Sequence, residues 1–327
     1  MAHALRMARR GLGNVWPNPA VGCVIVKEDR IVGRGWTQPG GRPHAEPVAL
    51  AQAGEAARGA TVYVTLEPCS HYGKSPPCAE ALIRAGVARV VAAFVDPDPR
   101  VGGRGIALLR DAGIEVTVGV REDEARMLQR GFLSRITVGR PMLTLKLATS
   151  FDGRIALASG ESQWITGPEA RRHVHALRLS HDAIMVGGGT ARADHPSLNV
   201  RGFGVVKQPV RVIASSGDLP DLPPEGQDFG PLWQISGTDA PALMAELGRR
   251  GLTRVFCEGG GQLAASLLQA GLVDELVGYG AGVVIGAGGR PAIGALDVAR
   301  LADAPRFALM ESRRIGPDLF HRWTREA

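Results

Sequence analysis

Aromatic side chains make up only 5% of the 327 residues, which argues against large stacking platforms for single-stranded nucleic acid. Cysteine is scarce as well. Cys23, Cys69, Cys78 and Cys257 are too few for a disulfide framework in a chain of this length, so metal binding or packing is their expected use. Long apolar runs are missing too. The chain opens Met-Ala-His-Ala-Leu-Arg-Met-Ala-Arg-Arg, charged where a secretory leader needs an apolar core, and a cytoplasmic protein is expected. Leu276 to Gly289, the longest uncharged stretch of the C-terminal region, is 14 residues and rich in glycine, too short to span a bilayer, so no membrane partner is expected. The 44 glycines and 22 prolines follow no period, which excludes a collagen-like chain and indicates one rich in turns.

The length favours two globular domains, each large enough to bury its own core. The 38 basic and 32 acidic side chains are unevenly spread. Residues 1–140 hold 19 basic and 13 acidic groups, whereas 141–327 hold 19 of each. A basic first half suits an anionic small molecule better than RNA, given the few aromatics.

Periodicity predicts paired strands at 20–26 and 30–36, then a helix at 47–57, a strand at 61–66 and a helix at 78–85. Strands at 89–95 and 114–118 alternate with helices at 103–111 and 122–134. This order implies an α/β domain over 1–140 with a largely parallel sheet and helices on both faces. Gly139-Arg140-Pro141 marks a boundary, and 141–327 repeats the logic. Its expected strands are 142–148, 183–186, 210–214, 254–258 and 276–285, with helices at 169–179, 240–249 and 262–270. Ser216 to Gly230, rich in Pro, Gly and Asp, is expected to be a surface loop.

The strongest chemical signal is His44-Ala45-Glu46, then Pro68-Cys69 and Pro77-Cys78. One imidazole and two thiolates form a three-ligand zinc set that leaves the fourth tetrahedral position to water, as in catalytic rather than structural sites. Neighbours on a helix point about 100° apart, so His44 and Glu46 converge only if His44 occupies the non-helical cap. Glu46, spare as a ligand, is placed to move protons between water, the substrate nitrogen and departing ammonia. His, Glu, Cys, Cys in this order marks zinc nucleobase deaminases, although eight residues here replace the usual two between the cysteines. Cys78 should open a helix whose positive end keeps the thiolates ionised. Cys23 and Cys257 lie in apolar strands and are expected to pack. Asn18, between Pro17 and Pro19, could offer its amide to a base edge, and the loop Ser70-His71-Tyr72-Gly73-Lys74 supplies an imidazole and a cation suited to phosphate.

Pro17-Asn18-Pro19, His44-Ala45-Glu46 and the run from Thr65-Leu66-Glu67-Pro68-Cys69 to Ser75-Pro76-Pro77-Cys78 closely resemble the deaminase half of the bifunctional riboflavin-biosynthesis deaminase/reductases. Leu145-Lys146-Leu147, Ser150-Phe151-Asp152-Gly153-Arg154, Ser159-Gly160-Glu161-Ser162-Gln163-Trp164, Asp194-His195-Pro196-Ser197-Leu198 and Glu258-Gly259-Gly260-Gly261 resemble the reductase half. The resemblance implies a cytidine-deaminase-like α/β/α sandwich over 1–140 and a dihydrofolate-reductase-like α/β domain over 141–327. It also implies zinc-dependent hydrolysis of an amino group from a diaminopyrimidinone carrying ribosylamino 5-phosphate, followed by NADPH-dependent reduction of the ribosyl chain to ribityl. One zinc per chain would sit on His44, Cys69 and Cys78, with Glu46 catalytic and Asn18, His71 and Lys74 binding substrate. In the second domain Ser162, Arg178, Leu198, Arg201 and Glu258 would contact substrate. Ala148, Trp164, Thr190, Asp194, Ser216 and the segment Gly260, Gly261, Gln262, Leu263, Ala264, Ala265 and Ser266 would contact NADPH. A homo-oligomer acting on a phosphorylated pyrimidine, without nucleic acid, is expected. Two departures stand out: His195 replaces a frequent second aspartate, and Pro47-Val48 replaces a frequent Val-His pair. The competing expectation is a zinc deaminase of another nucleotide, or of structured RNA, with an inactive second domain.

Independently of the resemblance, the strand ending at Glu258 runs through glycines into a helix, leaving free N–H groups where a pyrophosphate could lie. The three-glycine Rossmann fingerprint with its downstream acid is absent.

Overall fold

The structure, a computed structural model, describes residues 1–326 apart from 74, 100, 205–206 and 237–238. The chain divides into two compact units, Met1–Gly139 and Arg140–Ala327.

The first unit runs α1 (Ala2–Arg9), β1 (Gly22–Lys27), β2 (Arg30–Trp36), α2 (Ala45–Ala53), β3 (Thr61–Val64), α3 (Cys78–Arg84), β4 (Arg89–Ala92), α4 (Arg104–Asp111), β5 (Glu115–Val118) and α5 (Glu122–Val138). Its sheet has the order β2-β1-β3-β4-β5. Cys23 and Ile25 of β1 pack with Ala45 and Ala49 of α2 and Ala79 and Leu82 of α3. Val24, pointing to the opposite face, packs with Ala4 and Met7 of α1. Helices therefore cover both faces, as expected. The expected parallel sheet needs correction, because β1 pairs antiparallel with both β2 and β3, while only β3–β4 and β4–β5 are parallel. The β1–β2 pairing has a local cause: Glu28 and Asp29 both take positive φ (49° and 60°), forming a two-residue reversal that brings Arg30 back against Lys27.

The second unit contains β6 (Met142–Thr149), β7 (Arg154–Ala156), α6 (Pro168–Arg178), β8 (Ala183–Gly187), α7 (Gly188–Asp194), β9 (Val210–Ala214), β10 (Leu232–Ile235), α8 (Ala240–Arg249), β11 (Arg254–Cys257), α9 (Gly261–Gln269), β12 (Glu275–Gly280), β13 (Arg290–Pro291), β14 (Phe307–Ile315) and β15 (Asp318–Arg325). The main sheet has the order β10-β9-β8-β11-β6-β12-β15-β14, parallel from β10 to β12 and closed by an antiparallel C-terminal hairpin. Residues 216–230 form the expected irregular loop. The strand expected to reach Ile285 stops at Gly280, level with Thr149 at the end of its partner β6. Beyond that point the backbone is held by irregular contacts instead of a ladder: Ala281 N donates to Thr149 O, Phe151 N to Val283 O and Ile285 N to Asp152 Oδ1. The hairpin β14–β15 and the helix α7 have no counterpart in the sequence expectations. Charged residues interrupt the alternation of the hairpin, and α7 opens on Gly188-Gly189, the poorest helix formers after proline.

Candidate active sites

His44 is the N-cap of α2, with extended φ −68° and ψ 169°, so its side chain leaves the helix axis while Glu46 sits in the first turn. This meets the geometric condition for both residues to face one cavity. His44 Nδ1 lies 3.6 Å from Cys69 Sγ and 3.4 Å from Cys78 Sγ, and the three ligand atoms all fall within 4.8 Å of one another. Cys78 opens α3, and its backbone N–H donates to Cys69 Sγ at 3.4 Å. One borderline nitrogen and two soft sulfurs at this separation fit a zinc ion. Cys23 and Cys257 are fully buried among apolar neighbours, as expected.

The two thiols do not both ionise by virtue of the helix end alone. The hydrogen bond from the Cys78 thiol pulls Cys69 down to about 4. That contact, together with burial, pushes Cys78 well up, so the pair holds one proton. A metal ion displaces such a proton on binding. Glu46 is 3% exposed, and burial, aided by the charge on Cys69, pushes its carboxyl up to about 7, a value suited to both taking and giving protons. A bound cation beside it acts in the opposite direction.

A cavity of about 210 Å³ is walled by Asn18, His44, Glu46, Cys69 and His71, all expected from the sequence. Asn18 Nδ2 donates to Gly41 O at 2.7 Å, so part of its amide is already engaged. His71 Nδ1 is buried with no hydrogen-bond partner among the described residues. Lys74 lies outside the described residues. Arg42, Asp96, Asp98 and Arg135 also line the cavity and were not anticipated; Arg42 Nη1 donates to Ser75 Oγ at 2.9 Å. Beneath the cavity, Glu67 accepts from the backbone N–H groups of Asp96, Gly103, Gly105 and Ile106 at 2.9–3.3 Å. It thereby ties the start of α4 and the wall loop to the strand end that carries Cys69. Gly105 is required at this contact, since a Cβ there would stand 1.9 Å from Pro68 O.

In the second unit a cavity of about 790 Å³ opens along the C-terminal ends of the parallel strands. Thr190, Asp194, Gly260, Gly261, Gln262, Leu263 and Ser266 line it, as does Ser162. Thr190 Oγ1 accepts from Gly260 N at 3.1 Å, joining α7 to the glycine turn before α9. Ala264 and Ala265 are 0% and 5% exposed and face the core instead. Ala148 packs beside Tyr279 and Phe320, Ser216 lies two residues beyond the wall residue Ala214, and Trp164 is exposed beneath Arg171. His195 ends α7 in the left-handed region (φ 44°), a conformation in which Asn, Asp and His are the enriched residues after glycine.

Two of the residues expected to contact substrate, Arg178 and Glu258, form a partly buried ion cluster with Lys146. Arg178 Nε donates to Glu258 Oε1 at 2.6 Å and its Nη1 to Asn199 O at 2.6 Å. Lys146 Nζ lies 3.8 Å from Glu258 Oε2. Burial alone pushes Glu258 up, but the charges of Arg178 and Lys146 outweigh it and hold the carboxyl below its ordinary value. Burial and the charges of Arg178 and Arg201 push His175 down to about 4, so this ring, which accepts from Arg201 N at 3.2 Å, stays neutral at physiological pH. Leu198 is 2% exposed and packs with Ile184, Val186 and Ile213, leaving only its backbone for a ligand. Lys146 and His175 were assigned no role from sequence; a single lysine inside the apolar strand Met142–Thr149 was the available signal.

A three-ligand metal set beside a buried carboxylate in one α/β unit, and a glycine-edged cavity beside an ion cluster in another, define a zinc deaminase joined to a reductase. Residues 1–94 match the cytidine and deoxycytidylate deaminase zinc-binding region, and residues 141–321 match the RibD C-terminal domain. The chain is 44% identical to riboflavin biosynthesis protein RibD of Escherichia coli, over 98% of this chain and 96% of that protein. Among solved structures, RibD of Acinetobacter baumannii superposes with a TM-score of 0.91 at 42% identity, covering 100% of this chain and 98% of that one. A diaminohydroxyphosphoribosylaminopyrimidine deaminase/5-amino-6-(5-phosphoribosylamino)uracil reductase of Thermotoga maritima gives 0.88 at 32% identity, covering 100% and 97%. The chain belongs to the RibD family of bifunctional riboflavin biosynthesis enzymes. Among the described residues no helix is long and apolar enough to cross a membrane.

Proposed function

We propose that residues 1–140 deaminate 2,5-diamino-6-(5-phosphoribosylamino)pyrimidin-4(3H)-one and that residues 141–327 reduce the ribosyl chain of the product to ribityl with NADPH. The observation that carries this is the convergence of His44 Nδ1, Cys69 Sγ and Cys78 Sγ within 4.8 Å, with Glu46 on the wall of the same cavity.

Zinc held by His44, Cys69 and Cys78 supplies the Lewis acidity that makes water a nucleophile near neutral pH. Glu46 takes a proton from water as it adds to the ring carbon bearing the amino group. It delivers that proton to the ring nitrogen, then takes the proton of the newly added hydroxyl and passes it to the leaving nitrogen, which departs as ammonia while the carbonyl forms. Asn18 orients the base, and His71 and Lys74 hold the phosphate. The pocket is small and partly walled by acidic Asp96 and Asp98, which favours a compact nucleotide over a nucleic-acid strand.

NADPH supplies hydride to the second reaction. Thr190, Asp194 and the segment 260–266 are assigned to hold it, as are Ala148, Trp164 and Ser216. Arg201 offers an exposed guanidinium to the substrate phosphate, Arg178 holds Glu258 in place, and Ser162, Glu258 and the Leu198 backbone orient the ribosyl group. A cytoplasmic homo-oligomer is the proposed working form, supported by the edge hairpin, where Leu309, Met310 and Leu319 are each more than half exposed.

The test is incubation of the purified, zinc-loaded protein with the phosphorylated diaminopyrimidinone, with and without NADPH, followed by mass analysis. Deaminated product without NADPH and ribityl product with it are expected. Unchanged substrate in both samples would refute the assignment.

A further inference from the structure

The cavity of the second unit has an orientation that follows from the sheet. β6, β11, β8 and β9 lie side by side and parallel, so their C-terminal ends share one edge. At the β6/β11 end stands the Lys146–Glu258–Arg178 cluster assigned to substrate. Next along the edge comes the glycine turn at Gly260, tied to Thr190. Beyond it, two strand spacings from β11 or about 10 Å, lies the end of β9 with Ser215 to Gly217. A dinucleotide that presents its nicotinamide to the substrate and its pyrophosphate to the glycine turn must therefore extend its adenosine toward β9.

Arg192 is seated at that far end. The ideal Cβ position of Gly188 lies 2.4 Å from Ser215 Oγ and 3.1 Å from Arg192 Nη1, and that of Gly217 lies 3.9 Å from the same nitrogen. The guanidinium thus sits over two residues without side chains and beside a hydroxyl, on the rim next to the cavity residues Gly188 and Ala214. Among the described residues it has no carboxylate partner, and its one side-chain hydrogen bond is a long 3.4 Å contact to Asp218 O. The other cation on this cavity, Arg290, is placed differently: it lies against Gly160, and its charge acts on the carboxyl of Asp194, so it is already partly matched.

We propose that Arg192, with Ser215 beside it, reads the 2′-phosphate of the dinucleotide and so sets the preference for NADPH over NADH. The assignment rests on NADPH being the cofactor of this domain. A guanidinium that keeps most of its donors free and faces open backbone is the side chain best suited to grip a phosphate dianion.

The test is calorimetric titration of the full-length protein with adenosine 2′,5′-bisphosphate and with adenosine 5′-monophosphate, which differ only in the 2′-phosphate. Wild type should prefer the bisphosphate by roughly tenfold or more, and Arg192→Gln should weaken the bisphosphate by about 10- to 100-fold while leaving the monophosphate within about twofold. Arg192→Lys, keeping the charge, should recover part of the loss, and the retained monophosphate affinity of both variants checks that the second unit is folded. Unchanged bisphosphate affinity in Arg192→Gln overturns the assignment, as does an equal loss for both probes. Selective loss in Arg290→Gln but not in Arg192→Gln overturns it in favour of Arg290. No preference for the bisphosphate in wild type refutes the NADPH assignment itself, and the role of Arg192 falls with it.

Discussion

Glu46 is a buried carboxylate and Glu258 a partly buried one, and their surroundings drive them in opposite directions. At Glu46 burial, aided by the charge on Cys69, outweighs the charge of His44 and raises the carboxyl to about 7. Glu46→Gln should keep the three metal ligands intact yet slow deamination by about two to four orders of magnitude, the usual scale for losing a general acid/base. Zinc content by atomic absorption and ammonia release check the two halves of that expectation. Glu258 is held below its ordinary value by Arg178 and Lys146. Its folded pKa is depressed, so the stability it contributes is present above the unfolded value of about 4.3 and is lost as pH falls through the folded one. Thermal unfolding followed from pH 6 to pH 3 should show a steep acid loss in wild type that Glu258→Gln flattens; parallel curves would contradict the sign. The roles of His44, Cys69 and Cys78 were legible because ligand chemistry depends on residue type and order. That Arg178 spends its donors on Glu258 and Asn199 was not, because the three positions are brought together only by the ends of β11 and α6 and the loop after α7.

At the scale of elements, the metal site depends on how α2, α3 and α4 begin. The first turn of α2 was legible from His44-Ala45-Glu46, since only a cap position lets both side chains converge, and the observed φ and ψ of His44 meet that condition. The anchoring of α4 was not legible, because its acceptor Glu67 lies 36 to 39 residues before three of its donors. Glu67→Ala strands four backbone donors at once and should destabilise the first unit by roughly 1.5–3 kcal/mol or more. Glu67→Gln, which retains an acceptor oxygen, should cost less. Chemical denaturation of the zinc-loaded protein measures both, and equal stabilities of the two variants would show that the carboxylate does not anchor the helix. The C-terminal hairpin was missed for a related reason. Its stability comes from pairing with β12 rather than from a clean alternation of its own.

For the whole molecule, the assigned deaminase and reductase residues fall in separate compact units, Met1–Gly139 and Arg140–Ala327. Mutations at sites that share no partners act independently. Glu46→Gln should therefore still reduce supplied deaminated intermediate, and Glu258→Ala should deaminate while its product accumulates. Ammonia release and NADPH oxidation, assayed with each substrate separately, test this; loss of reduction in folded, zinc-bound Glu46→Gln would require a single composite site. The sequence by itself determined the chemistry: a ligand trio, a spare carboxylate, alternating strands and helices, and a glycine turn after a strand all follow from residue type and short-range spacing. Tertiary structure decided which cations remain available and where they stand. Arg178 is consumed by Glu258, Arg290 is partly matched by Asp194, and Arg192, beside Ser215, has no carboxylate partner among the described residues. These outcomes depend on the lateral order of β9, β8, β11 and β6, which non-local pairing sets and no local pattern encodes.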